Sequence, residues 1–400
     1  MKFIVLVPDG MADEPVVQLD NKTPLEAAKT PNMDFLAKFG LSGMVQTIPN
    51  GLPPGSDVGN LALMGYDPTV NFSGRAPLEA ANLGVLLDVD EVAFRCNLVT
   101  IKEGSMLDYS AGHITTEEAS NLIEYLERGL SWPDIRFYVG KSYRHLLVVK
   151  TINVERMLKV KTTPPHNILN QPIASYLPSG PQSDLLLNIM ERSKNILDEH
   201  PINKLRISGN DNPATMIWLW GQGNKPELQN FRKEYGLTGA VISAVDLVNG
   251  IGRLAGLNVI DVPGANGYYD TNYLGKAEYA LEALKDNDFV YVHVEAPDEA
   301  GHNGDWKAKK ECIEKIDHDI VGTILGYIKK EHNVRVMVVP DHPTPVNKRM
   351  HTGNPVPFVM YGKGIVSNNV HVYTEAAASA GIRFQSGKDL IHYFLSVKEG

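Results

Sequence analysis

An α/β fold with an inserted smaller α+β domain is predicted by three observations on the 400 residues. Short β-branched runs, Phe3–Val7, Phe289–Val294 and Val334–Val339, are apolar on both faces, as buried parallel strands are. Helical patterns such as Leu274–Leu284 and Lys309–Lys329 lie between or beside them. Each of the three apolar runs stops at an acidic motif.

The first run opens the chain as Met1-Lys2-Phe3-Ile4-Val5-Leu6-Val7, and Pro8-Asp9 ends it too early for a signal peptide, so it reads as a strand. The middle of the chain has a different texture. Strand patterns at Val92–Val99 and His145–Val149, a polar helix near Thr116–Arg128 and the loop Thr162–His166 mark the inserted module, expected at residues 77–206. Residues 1–76 and 207–400 then form the interrupted main domain. The longest nearly apolar segment, Ala240–Leu257, carries Asp246, Asn249 and Arg253 and fails as a membrane span.

Composition narrows the function. Hydrophobic residues make up 43% and charged residues 21%, the balance of a globular chain able to bury a core. A formal charge of −9 argues against a nucleic-acid partner, because phosphate backbones attract an excess of Lys and Arg. Cys96 and Cys312 form no CxxC pair, which fits a reducing compartment, and a cytoplasmic location is expected with no membrane partner. The oligomeric state is left open.

The strand ends carry the chemistry. Val7-Pro8-Asp9, Val294-Glu295-Ala296-Pro297-Asp298 and Val339-Pro340-Asp341 repeat one pattern, an apolar strand followed by Pro and Asp. If the three strands run parallel in one sheet, the aspartates emerge together at its carboxyl edge, where open α/β sheets bind ligands. Gathered carboxylates repel unless cations sit between them. Asp298 and His302, four residues apart, would share a helical face, Asp341-His342 supplies adjacent ligands, and His351 is the last candidate. Taken singly, each of these is an ordinary turn or helix cap; their joint occurrence has no such explanation. Mixed carboxylate and imidazole ligation suits zinc, manganese or iron better than calcium.

Pro53-Pro54-Gly55-Ser56-Asp57-Val58-Gly59-Asn60 reads as a tight turn entering a helix, with Ser56 at or just before its amino terminus. Capping alone would explain Ser56. A neighbouring metal would instead make it a nucleophile, with the helix amides and dipole receiving a phosphoryl group.

The segments VPDG at 7–10, LPPGSDVGNLALMGYDP at 52–68, SGRAPLEA at 73–80, GYYDTNY at 267–273, HVEAPDEAGH at 293–302, PDHPTP at 340–345 and HTGNPVPF at 351–358 together resemble the archaeal-type cofactor-independent phosphoglycerate mutases of the alkaline phosphatase superfamily. The resemblance spans nearly the whole chain. It implies an alkaline-phosphatase-like sheet sandwiched by helices, interrupted by a transferase domain, with substrate held between the two. It also implies two divalent ions, manganese first, with zinc, magnesium or cobalt as alternatives, and no 2,3-bisphosphoglycerate. Asp298, His302 and His351 would hold one ion, and Asp9, Ser56, Asp341 and His342 the other.

The implied reaction interconverts 3-phosphoglycerate and 2-phosphoglycerate through a phosphoserine at Ser56. Water must be kept off that intermediate, and this separates a mutase from a phosphatase. Arg95, His113 and Arg144 are the substrate-binding candidates in the inserted module, because arginine grips carboxylates and phosphates bidentately. Asp57 and Asn60 stand where bacterial mutases would carry Glu and His, so the substrate contacts are less well defined than the ligands. Two alternatives stay open: a related phosphotransferase or phosphomonoesterase acting on another small substrate, such as homoserine, and a non-catalytic metabolite-binding relative. No P-loop supports an ATP-dependent kinase.

Overall fold

The computed structural model describes residues 1–130 and 132–396; Ser131 and residues 397–400, which fall within the two expected domains, lie outside the described residues. Thirteen strands occur among the described residues: β1 (Lys2–Pro8), β2 (Leu41–Val45), β3 (Glu91–Lys102), β4 (Ser105–Asp108), β5 (Ile135–Lys141), β6 (Arg144–Lys150), β7 (Met216–Asn224), β8 (Gly239–Ile242), β9 (Asn258–Val259), β10 (Phe289–Val294), β11 (Val334–Val338), β12 (Val356–Gly362) and β13 (Ile382–Phe384). The chain divides into two compact units, Met1–Phe72 joined with the chain from Glu227 onward, and Ser73–Pro226.

The first unit is built on an eight-stranded sheet of order β13-β2-β12-β11-β1-β10-β8-β9. The three apolar runs are its centre. β1 lies between β10 and β11, parallel to both, with Val7 opposite His293 and Leu6 opposite Val338. β8 continues the parallel set beyond β10, and β9 pairs parallel outside β8. β12 alone runs the other way, antiparallel to both β11 and β2, while β13 pairs parallel with β2. Phe3–Val7 are fully buried, which is why this strand shows no polar alternation in sequence. Ile4, Leu6, Val292 and Val338 share a core with Leu36, Ala280, Ile313 and Ile324 from the covering helices.

Direction positions the site. The carboxyl ends of β1, β10 and β11 lie at one edge of the sheet and release Asp9, the Glu295–Asp298 segment and Asp341 there. Because β12 is antiparallel, its amino end reaches the same edge, and the chain just before it carries His351.

The pattern at Leu274–Leu284 is the helix Tyr273–Ala283. The one at Lys309–Lys329 is interrupted: helices Trp306–Lys315 and Gly322–Ile328 flank a π-helical segment, Ile316–Val321. Asp317 in that segment accepts from the Asn32 and Met33 amides at 3.2 and 2.7 Å, satisfying the first turn of the helix Pro31–Phe39 with an anion.

The second unit is α+β. β3 is flanked by antiparallel β6 and β7, with β5 beyond β6 and β4 against the end of β3. Helices Thr116–Leu130 and Ser183–Asp198 bury Leu122, Leu126, Ile189 and Met190 against Phe94, Leu147 and Trp218. The compact unit is larger than residues 77–206. β7 belongs to it because it pairs with β3, Trp218 opposite Asn97, and the helix Arg75–Asn82 begins just inside its first boundary. Among the described residues no helix is long and apolar enough to cross a membrane.

Candidate active site

Seven side chains singled out from sequence converge at the carboxyl edge of the first unit's sheet. The helix Ser56–Leu63 follows the extended Gly55, so Ser56 takes the first helical position, where amides lack intrahelical acceptors. Its hydroxyl lies 3.3 Å from Asp9 Oδ2 and 3.2 Å from His342 Nε2. His342 Nε2 is 3.4 Å from Asp9 Oδ1 and 3.6 Å from Asp341 Oδ2.

A second convergence adjoins the first. Asp298 and His302 lie on the helix Ala296–Asn303, with His302 Nε2 3.2 Å from Asp298 Oδ2. His351 Nε2 stands 3.4 Å from Asp298 Oδ1 and 2.8 Å from His302 Nε2. An ion with bonds of ~2.1 Å sets ligand-to-ligand edges of about 3.0 Å in an octahedron and about 3.4 Å in a tetrahedron, so these spacings suit divalent metal ligation.

Two triads have ligand atoms mutually within 4.8 Å: Asp298, His342 and His351, and Asp9, His293 and Asp341. This grouping differs from the one implied by the resemblance. It moves His342 to the Asp298 side, leaves His302 out and adds His293. The pairwise distances place His342 at the boundary of the two groups and His302 directly against Asp298 and His351, so His342 borders both and His302 belongs with the latter pair.

The electrostatics point the same way. Burial, then the negative charges of Asp341 and Asp298, push the Asp9 carboxyl well above its usual range. Burial would also raise Asp298, yet hydrogen bonds from His302 and His351 hold it well below the usual range. The bond to Asp298 raises His302 to about 9. Burial lowers His342, and it lowers His293 to about 4. Asp9 Oδ1 and His293 Nε2 are buried polar atoms without a hydrogen-bond partner. Buried lone-pair atoms without hydrogen-bond partners, one a carboxylate oxygen and the other an imidazole nitrogen, are what a cation would satisfy.

Sequence reasoning passed over His293. Its Nε2 lies 3.0 Å from Asp9 Oδ2, and its Nδ1 faces Ser243 Oγ at 3.2 Å. The available signal was a lone imidazole inside the apolar strand Phe289–Val294. Behind the candidate ligands, Asn60 donates to Asp341 and accepts from the Tyr291 hydroxyl.

Arg95, Arg144 and His113 all lie in the second unit. Arg95 is buried, pairs with Glu79 at 3.1 Å and stacks on Trp220 at 4.1 Å. Burial lowers its guanidinium; Glu79 opposes this, and the charges of Arg75 and Arg144 add to it. Arg75, not singled out from sequence, thus joins Arg95 and Arg144 in one basic group. Arg144 is exposed, 5.3 Å over the Tyr143 ring. His113 is exposed on the Ser110–Ile114 turn, with φ of 49°.

The family model of 2,3-bisphosphoglycerate-independent phosphoglycerate mutase matches residues 37–203. A protein of that name from Methanothrix thermoacetophila is 48% identical over 398 residues, covering 99% of this chain and 100% of the relative. The chain belongs to the 2,3-bisphosphoglycerate-independent phosphoglycerate mutases. Its likeness to the family's Methanosarcina barkeri member is 49% identity over 402 residues, covering all of both chains. A solved protein from Pyrococcus horikoshii superposes with a TM-score of 0.83 at 29% identity, over 100% of this chain and 99% of the other. The cofactor-independent phosphoglycerate mutase of Thermoplasma acidophilum superposes with a TM-score of 0.67 at 27% identity, covering 99% of each chain.

Proposed function

We propose that this member of the mutase family works through Ser56 at a two-metal centre. Family membership makes the chain an isomerase that interconverts 3-phosphoglycerate and 2-phosphoglycerate. The observation that carries the reading is the Ser56 hydroxyl set between Asp9 and His342, beside two adjoining groups of carboxylates and imidazoles.

Asp9, Ser56, Asp341 and His342 would hold one divalent ion, and Asp298, His302 and His351 the other, with His293 within reach of the first. Manganese is our choice, with zinc, magnesium or cobalt as alternatives. Bound ions would supply positive charge for the seryl oxygen and for the oxygens of the phosphoryl group in flight. Ser56 Oγ attacks phosphorus, giving up its proton as its bond to phosphorus forms and the bond to the 3-oxygen of glycerate breaks, and the freed alkoxide takes up a proton in its place. After glycerate turns, its 2-hydroxyl gives up its proton as its oxygen attacks the phosphoserine, the bond from phosphorus to Ser56 Oγ breaks, and Oγ takes up a proton, regenerating Ser56. The amino end of the helix Ser56–Leu63 would favour the transferred anionic group.

Arg95, Arg144 and Arg75, with His113, are our candidates for gripping the substrate's carboxylate and phosphate. The substrate is thus a small phosphorylated acid. Cys96 and Cys312 are free and buried, which agrees with a cytoplasmic site of action.

The test is to strip the full chain of metal, restore manganese and follow conversion of 3-phosphoglycerate. Conversion without release of phosphate, with phospho-Ser56 trapped by rapid quench and lost in Ser56→Ala, is expected. Release of free phosphate, or turnover that survives Ser56→Ala, would refute the reading.

A further inference from the structure

Thr344 is fully buried two residues beyond His342, and its hydroxyl meets a member of each ligand group. Thr344 Oγ1 makes a short hydrogen bond to Asp298 Oδ1 and lies 3.2 Å from His342 Nδ1. We propose that Thr344 is a positioning residue that fixes the Asp298 carboxylate and the tautomer of His342 together, and so couples the two metal positions. The inference rests on the two-metal reading above.

Proton counting sets the direction. A threonine hydroxyl has one hydrogen to donate, and an ionised carboxylate can only accept. The Thr344 hydrogen therefore goes to Asp298, and its oxygen accepts from Nδ1–H of His342. That leaves the lone pair of His342 on Nε2, the atom 3.2 Å from Ser56 Oγ and 3.4 Å from Asp9 Oδ1. A ligating histidine commonly has its tautomer fixed by the partner of its other nitrogen; here that partner also orients a ligand of the second ion.

The hydroxyl has no freedom to drift. The Thr344 amide reaches the carbonyl oxygens of Gly10 and Ala12 at 3.3 and 3.2 Å. Its own carbonyl accepts from Lys309 Nζ at 2.9 Å, and Lys309 is a buried cation paired with Asp13 at 2.7 Å. Glycines stand on two sides. A Cβ at Gly10 would come within 2.6 Å of Thr344 Oγ1, and one at Gly301 within 2.3 Å of the Thr344 carbonyl oxygen.

Two measurements on the full chain test this. Calorimetric titration of metal-free protein with manganese should show two ions in the wild type. Thr344→Val should weaken both by ~10–100-fold, and Thr344→Ser should restore them. In wild-type metal-free protein, 15N NMR of His342, assigned by loss of its signal in His342→Asn, should show Nδ1 protonated and Nε2 bare; this needs no Thr344 variant to fold. Thr344→Val binding both ions as the wild type does, or His342 carrying its proton on Nε2, would overturn the inference while leaving the two-metal reading intact. A wild type that binds no manganese would overturn both.

Discussion

The side-chain amide of Asn60 donates to Asp341 Oδ2 across 2.7 Å, deep beneath the ligand groups. Its oxygen accepts the Tyr291 hydroxyl at 2.6 Å, so a helix, a strand and a strand end are joined through one amide. All three groups are fully buried.

Removing that amide takes the hydrogen-bond partner from two atoms, Asp341 Oδ2 and the Tyr291 hydroxyl oxygen. Asn60→Leu should cost about 1–3 kcal/mol for each polar atom orphaned, and Tyr291→Phe should cost less because only Asn60 Oδ1 loses its donor. Denaturant titration of the metal-free chain measures both, and an Asn60→Leu variant as stable as the wild type would contradict the network.

Lys309 and Asp13 form an ion pair with both side chains wholly buried. Lys309→Met should destabilise the chain by about 3–5 kcal/mol, since it strands the Asp13 carboxylate. Adding Asp13→Leu should recover part of that loss, although the Val346 amide then loses its acceptor at 3.2 Å. The same titration reads the cycle, and a single variant no weaker than the double one would be the wrong result.

How far the sequence disclosed this edge varies from residue to residue. Asp9, Asp298 and Asp341 could be read because each follows an apolar strand through a proline, and parallel strands carry their ends to a common edge. The convergence of His351 depends on β12 running antiparallel, which local pattern does not encode. His293 and Thr344 were passed over for a simpler reason: a buried imidazole in an apolar strand resembles core, and a threonine in a proline-rich turn resembles a turn. The compact unit runs on to Pro226 because β7 finds its partner about 120 residues back along the chain, a pairing that strand propensity cannot supply. The π-helical segment at Ile316–Val321 likewise leaves no trace in apolar spacing.

Glu375 gives a pH signature. Burial raises its carboxyl to about 7, with hydrogen bonds from Thr23 Oγ1 at 2.7 Å and the Asp13 amide at 3.1 Å opposing the rise. The folded state thus holds this proton more tightly than the unfolded chain, whose glutamate titrates near ~4.3. Stability from this group is present at low pH and falls as pH rises toward 7. Glu375→Gln cannot ionise, so its melting temperature relative to the wild type should climb between pH 5 and about 7 and level off above. A flat difference across that window would dismiss the raised carboxyl.

Gly10 adopts φ of 61°, and a Cβ there would come within 2.5 Å of Asp298 Oδ1. Gly10→Ala should therefore displace Asp298 as well as strain the backbone by about 1 kcal/mol or more. Manganese titration should show weakened binding at the position proposed for Asp298, His302 and His351. Unchanged affinity would mean that the carboxylate does not need its present place.

The central claim is that two divalent ions flank the Ser56 hydroxyl. Anomalous diffraction at the manganese edge, from crystals of the metal-replete chain, tests it most directly. Two peaks are expected at this edge of the sheet, one among Asp9, Ser56, Asp341 and His342 and the other among Asp298, His302 and His351. Peaks confined to other surfaces, or none at all with these side chains turned apart, would contradict it.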